Sequence, residues 1–287
     1  MNLAKRIMRK YRHMIFSGNF KKHPQKGINF VLPSGDRFEL HNDEPAYSLF
    51  VNNSYEDENR ILWEAVVKRD MMVFDIGSNW GLFTISGSRL TGENGKVYSF
   101  EPNPSEREKL TQNVLLNKIN NITIFPIAVS DKNGMQHFYL PPSGKGAYSS
   151  IERPNIAESC TEIKVVTTTI DSFLTSNEIK RIDTMKIDVE GAELLVLKGA
   201  EKAIESFKPF ILMEVSDRRT SSFGYHSVEI CNWMQSKGFV LFIINECKDG
   251  LPKLKQFCPS DYISYNDIFC IHKEKLDMLD KLIIKDK

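Results

Sequence analysis

Val73-Phe74-Asp75-Ile76-Gly77-Ser78-Asn79-Trp80-Gly81 decides how the rest of the chain is read. Met71 to Ile76 is a short, nearly unbroken apolar run, the pattern of a strand buried on both faces. It ends at Asp75-Ile76-Gly77, and a helical pattern follows near 80–90. Glycines directly after a strand let backbone approach a ligand closely, and the next helix points its first N–H groups at the same place. A dinucleotide fingerprint would read G-x-G-x-x-G. Here the spacing is Gly77-x-x-x-Gly81, and Asp75 stands just ahead of it. A carboxylate beside a pyrophosphate repels it. A ligand with an ammonium, a sulfonium and no phosphate fits better, and S-adenosylmethionine is such a ligand.

Outward from that loop the pattern repeats. Val97 to Phe100 is a second strand ending at Glu101-Pro102, and 104–118 is helical with Leu110, Val114 and Leu115 on one face. An acid about one βα unit beyond a glycine loop is placed to accept hydrogen bonds from both ribose hydroxyls of an adenosine. Ile122 to Val129 reads as a third strand and Met185 to Ile187 as a buried strand ending at Asp188. A helix over 190–205 follows, then a strand over 210–215 with Glu214 near its end, a helix over 226–237, and strands over 239–244 and 267–271. Strands alternating with helices imply a parallel sheet covered on both faces. The stretch 135–168 breaks the rhythm with Pro141-Pro142, Gly144, Gly146 and an alternating KVVTTTI run. It reads as an inserted hairpin and loop, in which Tyr148, Ser149 and Ser150 are placed to line a pocket.

In such sheets ligands bind beyond the carboxyl ends of the strands. One acid at a strand end is ordinarily a helix cap. Four of them, Asp75, Glu101, Asp188 and Glu214, describe an acidic rim suited to hydroxyls, a cation or a proton-accepting role. Asp188 and Glu190 stand where a methyl group would be presented. With Glu214 and, more weakly, His226 they are the candidate bases for an acceptor hydroxyl. A divalent cation such as Mg²⁺ held by the rim is the other route to an activated oxygen, and the residues do not choose between the two.

Composition bounds the alternatives. The chain has 287 residues, 41% hydrophobic and 26% charged, which excludes disordered and fibrous classes. Five cysteines without C-x-x-C spacing argue against a disulfide framework or a zinc site and for a reducing, cytoplasmic setting. No apolar run is long enough to span a bilayer. The net charge of +1 gives no global attraction to nucleic acid. The charge is uneven, however: Lys5, Arg6, Arg9, Lys10, Arg12, Lys21, Lys22 and Lys26 precede the first acid, Asp36. Leu3, Ile7, Tyr11, Met14 and Ile15 share helical spacing among these bases. The segment therefore reads as a basic amphipathic helix, either packed on the domain or lying at the inner face of a membrane through residues 1–26. Two β-like runs flank Pro33-Ser34-Gly35-Asp36 as a hairpin, and 56–69 is helical. These divide the chain into an N-terminal extension over 1–54, a sheet domain over 55–273 and a helical tail over 274–287.

The motifs resemble the FkbM family of S-adenosylmethionine-dependent methyltransferases. The resemblance spans roughly residues 55–240 and rests on Asp75-Ile76-Gly77-Ser78-Asn79-Trp80-Gly81 and Phe100-Glu101-Pro102. Its most specific element is Lys186-Ile187-Asp188-Val189-Glu190-Gly191-Ala192-Glu193, followed by Val196-Leu197-Lys198-Gly199. It implies an α/β, Rossmann-like seven-stranded class I methyltransferase sheet with helices on both faces. Asp75, Gly77, Asn79, Gly81, Glu101 and Pro102 would hold S-adenosylmethionine, and the methyl would pass to a hydroxyl of a glycan or other small molecule. Three rivals share parts of this pattern. An NAD-dependent oxidoreductase is disfavoured by the glycine spacing. An RNA methyltransferase would use the basic arm, though no Asn-Pro-Pro-Tyr-like motif is present. A non-catalytic module would keep the donor fold alone.

Overall fold

The computed structural model describes residues 3–23, 26–142, 145–153, 159–248, 250–258 and 266–284. Gly144 of the insert and residues 285–287 of the expected tail lie outside them. Helix α1 (Leu3–Lys22) leads into a hairpin of β1 (Ile28–Val31) and β2 (Arg37–Leu40), closed over the turn cluster read above. A short α2 (Glu44–Tyr47), a π-helical turn (Ser48–Asn52) and α3 (Asp57–Val66) complete the approach to the sheet.

The central alternation follows. It comprises β3 (Met72–Ile76), α4 (Leu82–Thr91), β4 (Lys96–Phe100), α5 (Pro104–Asn117) and β5 (Ile122–Phe125). Asn103 caps α5 by accepting from the Ser105 N–H at 3.0 Å, with Pro104 opening the helix. After β6 (Ile127–Val129), β7 (Gly134–Leu140) and β8 (Thr161–Thr168) come α6 (Ile170–Ser176), β9 (Thr184–Ile187), α7 (Glu193–Gly199), α8 (Glu201–Phe207) and β10 (Phe210–Val215). The chain closes with α9 (Asp217–Thr220), α10 (Ser227–Ser236), β11 (Phe239–Lys248), β12 (Leu251–Gln256), β13 (Asn266–His272) and a 3₁₀ turn (Lys273–Leu279).

The main sheet runs β12-β11-β13-β10-β9-β3-β4-β5. Strands β5, β4, β3, β9 and β10 are mutually parallel, and β13 pairs antiparallel with both β10 and β11. This is the α/β, seven-stranded methyltransferase sheet expected from the sequence, with β12 added as an eighth strand at one edge. Side chains alternate between its faces. Phe74, Ile76 and Ile187 enter one core with Phe173, Leu197, Ile204 and Ile230 of α6, α7, α8 and α10. Val73 enters the other with Trp63 and Ile85 of α3 and α4. Phe16 and Phe20 of α1 and Phe38 of β2 lie in that second core, so residues 3–40 share their apolar interior with the sheet.

Three expectations change in detail. The run 122–129 is two strands, because Pro126 between them has no N–H to continue the ladder. The second half, β6, leaves the main sheet and pairs with β8, which pairs with β7, making a separate three-stranded sheet from the insert. The helix over 190–205 is two helices that begin only at Glu193. Glu190 and Gly191 have φ of 58° and 105°, which no helix accommodates, and the chain breaks again at Ala200. The tail after 273 is a 3₁₀ turn that returns Ile283 to pair beside Leu254 of β12.

Candidate functional site

A cavity opens at the carboxyl ends of β3, β4, β9 and β10, roofed by the insert and by residues 44–56. At one end lies Glu101, 6% exposed. Its two oxygens accept the backbone N–H groups of Asn79 at 2.7 Å and Asn103 at 2.8 Å. Burial nevertheless pushes its carboxyl up to about 8, because two N–H donors do not replace the water lost. Asn79 adopts φ of 50°, and its buried side-chain oxygen has no hydrogen-bond partner among the described residues. Gly77 has φ of +80°, and a Cβ there would sit 1.9 Å from the Asp188 carbonyl oxygen. Only glycine lets these two loops close together.

Asp75 does not line this cavity. It points into the second core beneath the glycine loop and accepts from Thr84 Oγ1 at 2.5 Å. Thr84 continues through Ser99 to Ser78, and Ser78 donates to the Phe100 carbonyl at 3.1 Å. Burial raises the Asp75 carboxyl to about 6. Gly81 also stands back from the cavity: φ of +96° starts α4, and a Cβ would press on Leu110 at 2.4 Å.

At the other end Asp188, Glu190 and Glu214 bring one carboxylate oxygen each within 4.8 Å of one another. Two cations from the chain hold them. Lys186 Nζ lies 2.7 Å from Asp188 and 4.6 Å from the centre of the Phe83 ring, and Arg219 pairs with Glu190 at 2.8 Å and also with Glu214. Burial alone would raise Asp188, but the Lys186 ammonium and hydrogen bonds from Lys186 and Glu214 outweigh it and hold the carboxyl below its ordinary value. Burial, reinforced by the Asp188 charge, drives Glu190 and Glu214 well above theirs despite Arg219. The cluster therefore has one carboxylate kept ionised and two that favour the proton. A divalent cation entering it would compete with Lys186 and Arg219 for the same oxygens.

Of the residues singled out in the sequence, Gly77, Asn79, Glu101, Pro102, Asp188, Glu190 and Glu214 line the cavity. Tyr148 and Ser149 line it too, and Ser150 donates to the Glu190 carbonyl at 3.1 Å. His226 does not reach it. Its side chain is 77% exposed ahead of α10, with Nδ1 3.9 Å from Asp217. Arg219, Tyr55, Glu56 and Glu44 were missed. Arg219 comes from the one-turn α9, Tyr55 and Glu56 from the link between the π turn and α3, and Glu44 accepts from the Tyr148 hydroxyl at 3.1 Å.

The seven-stranded sheet, with a glycine loop after β3 and a buried acid after β4, is that of a class I S-adenosylmethionine-dependent methyltransferase. Residues 75–241, more than half of the chain, match the model of the methyltransferase FkbM domain, and the chain belongs to the FkbM methyltransferase family. It is 27% identical over 181 residues to the hexuronic acid methyltransferase AglP of Haloferax volcanii, covering 62% of this chain and 70% of AglP. It is 27% identical over 164 residues to the 2-O-methyltransferase NoeI of Sinorhizobium fredii, covering 53% of this chain and 65% of NoeI. A crystal structure of a methyltransferase FkbM from Methylobacillus flagellatus KT is similar over 81% of this chain and 56% of that one, with 16% identity and a TM-score of 0.44.

Proposed function

We propose that the chain transfers a methyl group from S-adenosylmethionine to a hydroxyl oxygen of a sugar. The observation that carries this reading is the opposition, within one cavity, of Glu101 on backbone donors and the Asp188–Glu190–Glu214 cluster. Two sugar-directed or O-directed relatives support the acceptor class.

The residues fit the donor. Glu101 keeps lone pairs on both oxygens for the ribose hydroxyls. The Asn79 side-chain oxygen, without a partner among the described residues, would accept from the donor's ammonium, and Gly77 lets its loop close on the Asp188 carbonyl. Asp75 acts one layer down, fixing the glycine loop through Thr84, Ser99 and Ser78. When bound, S-adenosylmethionine supplies a sulfonium-borne methyl, so the acceptor oxygen gains an O–C bond as the S–C bond breaks and S-adenosylhomocysteine leaves. Most of the acceleration comes from holding the two reactants in line. Asp188, kept ionised by Lys186, accepts the hydrogen bond of the incoming hydroxyl and then its proton. Arg219 fixes Glu190 and Glu214 around that position.

The test is calorimetry with S-adenosylmethionine and with NAD, followed by turnover on hexuronic acids and neutral sugars. Donor binding lost in Glu101→Ala and methylated sugar as product are the expected results. NAD binding, or methylation of RNA in place of sugar, would overturn the reading.

A further inference from the structure

We propose that α1 is an interfacial anchor that lays its outward face into a bilayer of anionic phospholipid. The helix has two apolar faces, about 160° apart at 100° per residue. One carries Phe16 and Phe20, which are buried in the second core, and Phe16 stacks edge-on against Tyr47. That face fixes the helix to the domain, helped by Arg12 Nη1, which donates to Asn53 at 3.2 Å. The other face carries Ile7, Met8, Tyr11, Met14 and Ile15. Ile7, Tyr11 and Met14 are 60%, 59% and 70% exposed. Five large apolar side chains on one stripe of a rigidly held helix are an unusual surface to leave in water.

The charge around the stripe identifies what covers it. Arg6 and Lys10 border it on one side. On the other, Arg12 and Lys5 border it, and with Met8, Arg9 and residues 51–53 they line a concave notch that turns toward the domain. The helix contains no acid, while the chain as a whole is nearly neutral. The molecule is thus polarised, with its excess positive charge gathered where the apolar side chains are. A stripe of this kind inserts to the depth of the headgroup boundary, and its bordering Lys and Arg stems reach back to the phosphates. RNA would be drawn to the bases but gains nothing from the stripe. A second copy of the chain would bring the same cations against these. An anionic bilayer satisfies both features, and no described helix is long and apolar enough to cross it.

Co-sedimentation of the full chain with phosphatidylcholine vesicles, with and without about a third phosphatidylglycerol, tests this. The wild-type chain is expected in the pellet only with the anionic vesicles, and released by high salt. The double variant Ile7→Asn/Met14→Asn is expected to lose at least tenfold in vesicle partitioning. Its melting temperature and its S-adenosylhomocysteine affinity should be unchanged, because neither side chain enters the domain core. Lys10→Glu, which reverses a charge bordering the stripe, should weaken binding to the anionic vesicles. Undiminished partitioning of the double variant overturns the proposal. So does a wild-type chain that ignores anionic vesicles while binding RNA or forming a dimer that the double variant abolishes. None of these readouts depends on methyl transfer, so failure here leaves the proposed activity standing.

Discussion

On the proposed function, titration of Glu101 should control how tightly the chain holds an adenosine. Its carboxyl is walled off from water, with one backbone N–H on each oxygen, and burial carries it to about 8. Ribose hydroxyls donate hydrogen bonds, so the ionised form is the one that binds them. With that value the ionised fraction is about a tenth at pH 7 and about nine tenths at pH 9. Apparent affinity scales with the competent fraction, so binding should tighten about tenfold across this range, or ~1.4 kcal/mol. At pH 7 each binding event should also release about 0.9 of a proton, falling to about half at pH 8. The probe is 5′-methylthioadenosine, which keeps the ribose and lacks the titrating ends of S-adenosylmethionine. Calorimetry in two buffers of different ionisation enthalpy reads affinity and proton release together. The 2′,3′-dideoxy analogue and Glu101→Gln should both flatten the profile. An affinity that stays level or falls from pH 7 to 9 in the wild-type chain would refute the reasoning.

The same burial acts on stability with the opposite slope. A carboxyl whose folded pKa is raised stabilises fully below its unfolded value and loses that contribution as pH rises through the folded one. Glu101 at about 8, Glu193 at about 7 and Asp75 at about 6 all lie above their ordinary values, so the melting temperature of the ligand-free chain should fall from pH 5 to 8, less steeply in Glu101→Gln. Asp188→Asn should lower kcat by at least about a hundredfold while leaving S-adenosylhomocysteine affinity within a few-fold, and His226→Ala should change neither; comparable kcat in Asp188→Asn would remove it as the proton acceptor. Gly77→Ala should abolish donor binding, because its Cβ meets backbone, whereas Gly81→Ala meets the end of the buried Leu110 side chain at a positive φ and should retain binding at a cost in stability, both read by calorimetry and thermal melts.

The central strands were legible because burial on both faces leaves a continuous apolar run, as in MVFDI and FILMEV. The glycine loop and Glu101 were legible because they follow such strands at once. What escaped depends on contacts far away in sequence. Strand β12, LPKLKQ, reads as a polar loop, yet it forms an edge where lysines are tolerated. Helix α6 hides behind the insert, and its signal was Thr169 as cap, accepting from the Ser172 N–H at 3.0 Å. Arg219 could have been suspected as a cation shortly after Glu214, but nothing local shows that α9 turns it back over two carboxylates. Tyr55 and Glu56 reach the cavity only because the extension folds against the sheet through Phe38 and Trp80, whose rings meet edge-on at 5.1 Å.

The departure of β6 from the main sheet at Pro126 separates two kinds of freedom. The proposed donor end is built on β3 and β4, which pair with their neighbours inside the main sheet. The roof comes from β6, from Phe138 of β7 and from residues 146–151, all of the small separate sheet or its link, and from residues 44–56, which belong to no sheet. Those pieces can be lengthened, shortened or exchanged without breaking one hydrogen bond of the main sheet. The architecture thus concentrates the tailoring of what enters the cavity in parts outside the main sheet, and an engineer seeking a new acceptor would begin with residues 134–168 while keeping Ser149, which accepts from Asn103 beside Glu101 at 2.9 Å.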